Sequence, residues 1–250
     1  MKRFDAHFHI IDPNFPLVEN KGYLPKPFSL KDYLPFKKRY HITGGAIVSG
    51  SFQAFDQSYL LHSLKVMGND YVGITQLRSN TSDEEILTLD NAGIRGVRFN
   101  LYRGGSEKVS ELKSFAKRIY DLVNWHIELY LDSRTIPELM PLLRELPSYS
   151  IDHLGLFEEG LPYLYKVAGH GARIKAIGFM RCDFDVLNVM KTIMKIDPNL
   201  LMFGTDLPGT RAVRTFQDSD LALIENNFSQ DEIQKILWDN AARFYRLSGD

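Results

Sequence analysis

The sequence predicts a single-domain parallel (β/α)8 barrel, a TIM barrel, on three observations. About eight short, mostly apolar runs recur along 250 residues, each followed by a stretch in which apolar side chains fall at helical spacing. Polar residues capable of chemistry stand at the C-terminal ends of those runs, where such barrels carry their sites. No linker, repeat or low-complexity segment divides residues 1–250. The alternative, a doubly wound open sheet, normally brings a glycine-rich phosphate turn after its first strand, and here Asp12 and Pro13 follow instead.

The first predicted strand is RFDAHFHII, Arg3 to Ile11. Residues two apart on a strand point to one face, so His7 and His9 project together as a candidate metal or acid/base pair. Taken alone, the pair is better explained by chance among seven histidines, one of them partly buried and hydrogen-bonded. Residues 12–43 form an unusually long connection carrying Pro13, Pro16, Pro25, Pro27 and Pro35, with Tyr23, Phe28 and Tyr33 among them. Long loops in compact domains tend to be functional, and the aromatics imply packing, so this segment is a candidate lid over His7 and His9. A surface excursion with no part in chemistry fits the composition nearly as well.

GGAIVSGS then reads as strand two, followed by a helix presenting Leu60, Leu61, Leu64 and Met67. YVGITQLR is strand three, and Ser82 with Glu85 forms a capping-box signature for the helix ending near Gly93. IRGVRFNL is strand four. Its helix carries Val109, Leu112, Phe115, Ala116, Ile119 and Val123, and HIELYLD follows as strand five. Thr135 with Glu138 predicts the next helix start, YSIDHLGL is strand six, and a helical stretch from Leu161 to Ala168 leads to ARIKAIGFMR, strand seven. Val186, Leu187, Met190, Ile193 and Met194 mark another helix before strand eight, NLLMFGTDLP. Helices near Leu221 and from Ser229 close the chain. In the second, Ser229 and Glu232 resemble a capping box, and Ile233, Ile236, Leu237, Ala241 and Phe244 form the buried face.

Composition bounds the function. A hydrophobic content of 44% with 24% charged residues is ordinary for a globular protein. A net charge of −1 and pI near 6.7 give no general attraction to nucleic acid or anionic membrane, so any anion recognition must be local. Cys182 is the single cysteine, which excludes an internal disulfide framework and a cysteine-rich metal site. The N-terminal stretch breaks at Asp5, His7, His9 and Asp12 before any signal-peptide core, and no apolar run approaches the ~20 residues that span a bilayer. The expectation is a cytoplasmic enzyme acting on a small molecule. Barrels of this size often pair, which leaves a homodimer possible, but no face of the sequence identifies an interface.

Asking each strand what it delivers to one mouth gives His7 and His9 from strand one, Arg98 from four, and Tyr130 and Asp132 from five. Strand six brings Asp152 and His153, strand seven Arg181 and strand eight Asp206. His126 lies at the opening end of its strand, and His41, His62 and His170 lie in loops or helices, so these four read as structural or solvated. Individually the mouth residues have ordinary explanations: His153 as a satisfied core histidine, Asp206 as a turn residue, Arg98 as the ion partner of a carboxylate such as Asp132. Their convergence is what shifts the balance.

DAHFHI, IDHLG, FGTD and DNAARFY resemble the amidohydrolase superfamily over nearly the whole chain. The order DAHFHIIDPNFPL, GYLPKP, GVRFNLYR, IDHLG is most similar to its 2-pyrone-4,6-dicarboxylate lactonase branch, which includes sugar-lactone hydrolases. The resemblance implies the same barrel and hydrolysis by an activated water. It implies Asp206 as general base, or as partner of a metal-bound water, with His7, His9 and His153 around the scissile carbonyl. Arg98, Tyr23, Ser51 and Tyr130 match substrate-binding positions, Arg103 matches another approximately, and Arg181 corresponds to a third arginine. Many metal-dependent relatives end strand four in lysine and strand five in histidine, where this chain has Arg98 and Tyr130 with Asp132. The relative's Trp and His near its strand-eight aspartate are replaced by Leu207 and Gly209.

The leading expectation is a lactonase opening a cyclic ester of a small carboxylated or polyhydroxylated acid. Asp206 would be the base, His153 and one strand-one histidine would donate to the oxyanion, and Arg98 and Arg103 would hold a carboxylate. No obligatory cofactor is expected; a single zinc or manganese on His7, His9 and Asp206 is the metal alternative. The rivals are a metal-dependent decarboxylase of a small carboxylic acid and a non-catalytic carboxylate-binding barrel.

Overall fold

The computed structural model describes residues 1–247. Eight strands pair side by side in chain order, all parallel: β1 Arg3–Phe8, β2 Ile42–Val48, β3 Tyr71–Thr75, β4 Ile94–Asn100, β5 His126–Tyr130, β6 Tyr149–Ile151, β7 Arg173–Ala176 and β8 Leu201–Phe203. Just beyond the strand ends, β8 meets β1. The Asp206 N–H donates to the His7 carbonyl and the His9 N–H to the Leu207 carbonyl, both at 2.8 Å. Sequential strand order and this seam make the sheet a barrel and exclude the doubly wound alternative.

Helices alternate with the strands: α1 Leu30–Arg39, α2 Ser58–Met67, α3 Asp83–Asn91, α4 Leu112–Val123, α5 Ile136–Leu143, α6 Leu161–Ala168, α7 Val186–Ile196 and α8 Asp218–Glu225. The last helix runs from α9 Gln230–Gln234 through a π-helical turn, Lys235–Asp239, into α10 Asn240–Tyr245. The strand–helix core is continuous, and a second apolar cluster joins Phe4, Ala46, Val48, Val72 and Ile74 to Trp238 and Tyr245. No described helix is long and apolar enough to cross a membrane.

Several local expectations are corrected. Residues 12–43 are not one loop, because α1 occupies their second half. Its start is fixed by the Asp32 carboxylate, which accepts the Ser29 N–H at 2.7 Å, and Tyr33 is buried beneath it. The cap at Ser82 forms, as does the Ser229–Glu232 box. The Thr135 hydroxyl instead donates to the Asp132 carbonyl, and it is the Asp132 side chain that caps this turn. Val109 is exposed outside α4, and Tyr245 rather than Phe244 is the fully buried aromatic of α10. Strands β6 to β8 are only three or four residues long. Asp152, His153, Arg181 and Asp206 therefore stand on the turns beyond them.

One irregularity decides which side chains enter the barrel. Between Asp5 and Phe8, β1 advances three residues while β2 advances two, Gly45 to Ile47, a β-bulge. Phe4 packs in the cluster with Ala46 and Tyr245, whereas Asp5 meets Tyr33 of α1. Strict alternation from Phe4 would send His7 outward with Asp5; the extra residue turns it back across the barrel toward Asp152 and Lys175.

Candidate active site

The hollow at the C-terminal mouth is lined by nine of the ten predicted site residues: His9, Tyr23, Ser51, Arg98, Arg103, Tyr130, His153, Arg181 and Asp206. The tenth, His7, lies directly against it, its ring centroid 4.9 Å from His9 and 5.7 Å from His153. Its Nε2 is 4.0 Å from Asp206 Oδ1. Both atoms are buried and neither has a hydrogen-bond partner; the same holds for His153 Nδ1. Buried polar atoms are nearly always paired, so three unpaired ones converging in a single mouth mark a place built to engage another molecule.

Two of these residues hold unusual backbone conformations. His153 has φ +54° and Asp206 φ +57°, left-handed values that cost a non-glycine residue about 1 kcal/mol or more. Each lies on a turn immediately after a short strand, and the turn aims the side chain into the mouth. Gly178, also at positive φ, serves the same pair by its lack of a side chain. A Cβ there would stand 2.7 Å from His153 Nδ1 and 2.9 Å from Asp206 Oδ2.

The carboxylate of Asp206 is held on one side only. Arg181 Nε donates to Oδ2 at 2.7 Å, and its NH2 group donates to the Thr210 carbonyl at 2.8 Å, while Oδ1 stays open. Burial raises the Asp206 pKa against the pull of Arg181 and Arg98. The imidazoles move the other way. Desolvation first, then the nearby cations, hold His7 and His153 well below 6.5, and His9 falls to about 3 for the same reasons. All three are neutral at pH 7. His9 Nδ1 lies 2.7 Å from the Val48 carbonyl, which can only accept, so this nitrogen carries the proton and Nε2 faces the mouth with a lone pair.

Arg98 does not pair with Asp132, as the sequence allowed. Its Nε and NH2 groups donate to Asp152 Oδ2 at 3.3 and 2.8 Å, and NH1 donates to the Ser49 carbonyl. Asp132 points to Arg134 instead. Arg103 Nε donates to the Tyr130 hydroxyl at 3.3 Å. Ser51 accepts from Asn20, and the Tyr23 ring lies 3.9 Å beneath the Arg211 guanidinium. Arg103 and Arg211 make no ion pair among the described residues, Arg211 donating instead to the Asn20 carbonyl at 2.6 Å, which leaves two cations at the rim without a carboxylate partner. The chain is near neutral, yet this mouth is locally cationic.

Sequence reasoning missed Asn100, Arg211 and Gly178 at the mouth, and Glu128 and Lys175 beneath it. For the last two a signal existed: each is a charged residue in the middle of an apolar strand, HIELY and RIKA. His126 is buried with Nε2 3.4 Å from Glu128, whereas His41, His62 and His170 are exposed, none of the four in the mouth.

Two groups have metal-ligand spacing, with ligand atoms within 4.8 Å of one another: His7, His9, Asp206 and His7, Glu128, Asp152. The first could hold one divalent ion by distance. Its chemistry fits less well, since Asp206 shares Oδ2 with Arg181 and His7 Nδ1 faces the Lys175 ammonium at 3.4 Å. The second group already surrounds a cation, because Lys175 Nζ touches all three members.

Imidazoles and one half-paired aspartate thus gather at the seam of a parallel barrel. The chain belongs to the amidohydrolase family, which matches residues 4–247. It is 25% identical to the 2-pyrone-4,6-dicarboxylate hydrolase of Comamonas testosteroni, over 96% of this chain and 89% of that protein. It is 27% identical to the 4-sulfomuconolactone hydrolase of Rhizobium radiobacter, over 97% and 89%. Among solved structures, a probable 2-pyrone-4,6-dicarboxylic acid hydrolase from Acinetobacter baumannii with citric acid bound superposes with TM-score 0.84 at 22% identity, covering 98% of this chain and all of that one.

Proposed function

We propose that the protein is a lactonase that hydrolyses a cyclic ester carrying at least one carboxylate or similar anion. The observation that carries this reading is the open Oδ1 of Asp206, buried and 4.0 Å from His7 Nε2. An acceptor and a ring nitrogen at that separation can both reach one oxygen atom placed between them. The relatives' names, hydrolases of 2-pyrone-4,6-dicarboxylate and 4-sulfomuconolactone, support a ring ester with an attached anion.

In this reading Asp206 Oδ1 takes a proton from water as the oxygen adds to the lactone carbonyl. A base with a raised pKa suits that step, because its affinity for the proton it takes from water is greater. Charge develops on the carbonyl oxygen, where N–H groups of His153 and one strand-one histidine receive it. The tetrahedral adduct then expels the ring oxygen, and Asp206 returns its proton to that alkoxide. Arg103 and Arg211, with the remaining N–H groups of Arg98, orient the substrate anion.

The segment 12–29 acts in this reading as a cover: Tyr23 stacks on Arg211, whose N–H donates to the Tyr23 hydroxyl at 3.2 Å, so the segment is tied to the mouth. Deleting residues 22–27 is expected to raise KM with little change in Tm, and unchanged kinetics would count against a covering role. The main test is turnover on a panel of lactones and dicarboxylates beside metal analysis of the purified protein. Lactone opening without stoichiometric metal is the expected result. Decarboxylation with bound zinc or manganese would instead support the metal-dependent rival, and ligand binding without product the non-catalytic one.

A further inference from the structure

Beneath the mouth a layer of charge crosses the barrel, and the reaction proposed above does not use it. Lys175 on β7 is fully buried, with Nζ 2.6 Å from Glu128 Oε2, 3.8 Å from Asp152 Oδ1 and 3.4 Å from His7 Nδ1. Glu128 is anchored from below by the Tyr245 hydroxyl at 2.8 Å, and Asp152 from the side by Arg98. Lys175 meets the Glu128 carboxylate most closely, and its Nζ also lies at hydrogen-bonding distance from His7 Nδ1. An ammonium has three donors and no acceptor, so the imidazole nitrogen that meets it must present its lone pair.

We infer that Lys175 is a positioning residue that fixes the tautomer of His7, placing the ring proton on Nε2 and aiming it into the mouth as a hydrogen-bond donor. This rests on the lactonase reading for its consequence but not for its geometry. The two strand-one histidines thereby divide their work. His9, tied through Nδ1–H to the Val48 carbonyl, offers a lone pair; His7, held through Nδ1 by Lys175, offers an N–H. Of the two, His7 is the one able to receive the oxyanion, at a site 4.0 Å from the open oxygen of the base. The same proton removes the Nε2 lone pair that a metal would require of His7, so Lys175 biases the trio of His7, His9 and Asp206 toward direct polarisation of the substrate.

The competing arrangement is specific. His7 Nδ1 is also 3.6 Å from Asp152 Oδ1, an atom without a hydrogen-bond partner, and a proton on Nδ1 would face it. Removing the ammonium should therefore let the imidazole flip tautomer toward Asp152 and lose its donor to the mouth.

The deciding measurement is the histidine tautomer in the intact, unliganded protein, by long-range 15N–1H correlation on histidine-labelled material at pH 7.5, with His7 assigned by the loss of its signals in His7→Gln. Nε2–H for His7 and Nδ1–H for His9 are expected; Nδ1–H for His7 overturns the inference. This readout needs no substrate, so it stands or falls apart from the lactonase reading. A charge-balanced double variant, Lys175→Met with Glu128→Gln, extends it. The His7 signals should shift toward Nδ1–H, and kcat on the best lactone should fall by about 100-fold with KM held within about threefold. An unchanged tautomer in the variant, or a shifted tautomer with unchanged kcat, would overturn the role; if the variant fails to fold, the wild-type spectrum still decides.

Discussion

Asp5 and Asp206 meet at the same seam of the barrel and are both buried, yet one is closed and the other open. Asp5, turned outward from β1, accepts from the Thr205 N–H at 2.7 Å, the Thr205 hydroxyl at 2.6 Å, the Tyr33 hydroxyl at 3.2 Å and the His7 N–H at 3.3 Å. Burial still lifts its pKa to about 6, but no lone pair remains for an outside partner. Asp206, turned inward on a left-handed turn, has Arg181 on one oxygen and nothing on the other. The two aspartates show that desolvation alone does not leave a buried carboxylate open to an outside partner. The Asp5 shell locks β8, β1 and α1 together, and the incomplete shell of Asp206 leaves an open acceptor, as the proposed base requires.

The largest expected effect breaks that contrast on the open side. Asp206→Asn should lower kcat by about a thousandfold or more, since the amide cannot take the proton, while substrate binding remains measurable and the fold persists. Near-normal turnover would remove Asp206 from the base role. On the closed side, Asp5→Asn replaces an acceptor of four hydrogen bonds with a group that must donate. The expected loss is about 2 kcal/mol, read as a fall in Tm of roughly 4–8 °C, with kcat of the folded protein retained within about tenfold. A collapse of kcat at unchanged Tm would reverse the assignment of the two aspartates.

Smaller effects sharpen it. Arg103→Met, which removes a rim cation without a carboxylate partner, should raise KM about tenfold with a lesser change in kcat; an equal fall in kcat and kcat/KM would instead place Arg103 in the transition state. The pH dependence should divide in the same way. The acid limb of kcat should have its midpoint above 3.8, because burial raises Asp206, and a midpoint at 3.8 or lower would contradict an open, desolvated base. Stability should decline as pH falls below 6.5, the ordinary histidine value from which His9 is lowered to about 3. In that window the unfolded chain binds a proton that the folded one refuses, about 1.4 kcal/mol per pH unit for a single such group, so folding is favoured at higher pH. Asp5 works against this trend. Its folded pKa is raised, so the fold gains stability as pH falls from about 6 toward 3.8, and Asp5→Asn should steepen the acid loss of Tm.

Much of the site was legible because it is written in local pattern. His7 and His9 are two residues apart, and Asp152–His153 and Asp206 follow apolar runs, so the rule that barrel sites sit at C-terminal strand ends found them without coordinates. What the pattern could not give was partnership. Arg98 reaches Asp152 from β6, not Asp132, because inward-facing side chains on different strands meet across the barrel at distances no sequence spacing encodes. Arg211 and Gly178 were missed for a related reason: they lie on turns whose approach to the mouth depends on how two separate connections pack.

The sequence by itself determined the barrel, through the alternation of apolar strands with amphipathic helices, and it marked most of the strand-end residues that reach the mouth. Those properties arise from neighbours a few positions apart. Tertiary structure decided which of two buried aspartates is open, through the partners that close around Asp5 and the left-handed turn that aims Asp206 inward, and the β1 bulge turned His7 toward the same mouth. It also decided that Lys175, 168 residues along the chain from His7, meets that ring at Nδ1. Face, tautomer and the remaining lone pair depend on register and on contacts between distant strands, which exist only once the sheet has closed.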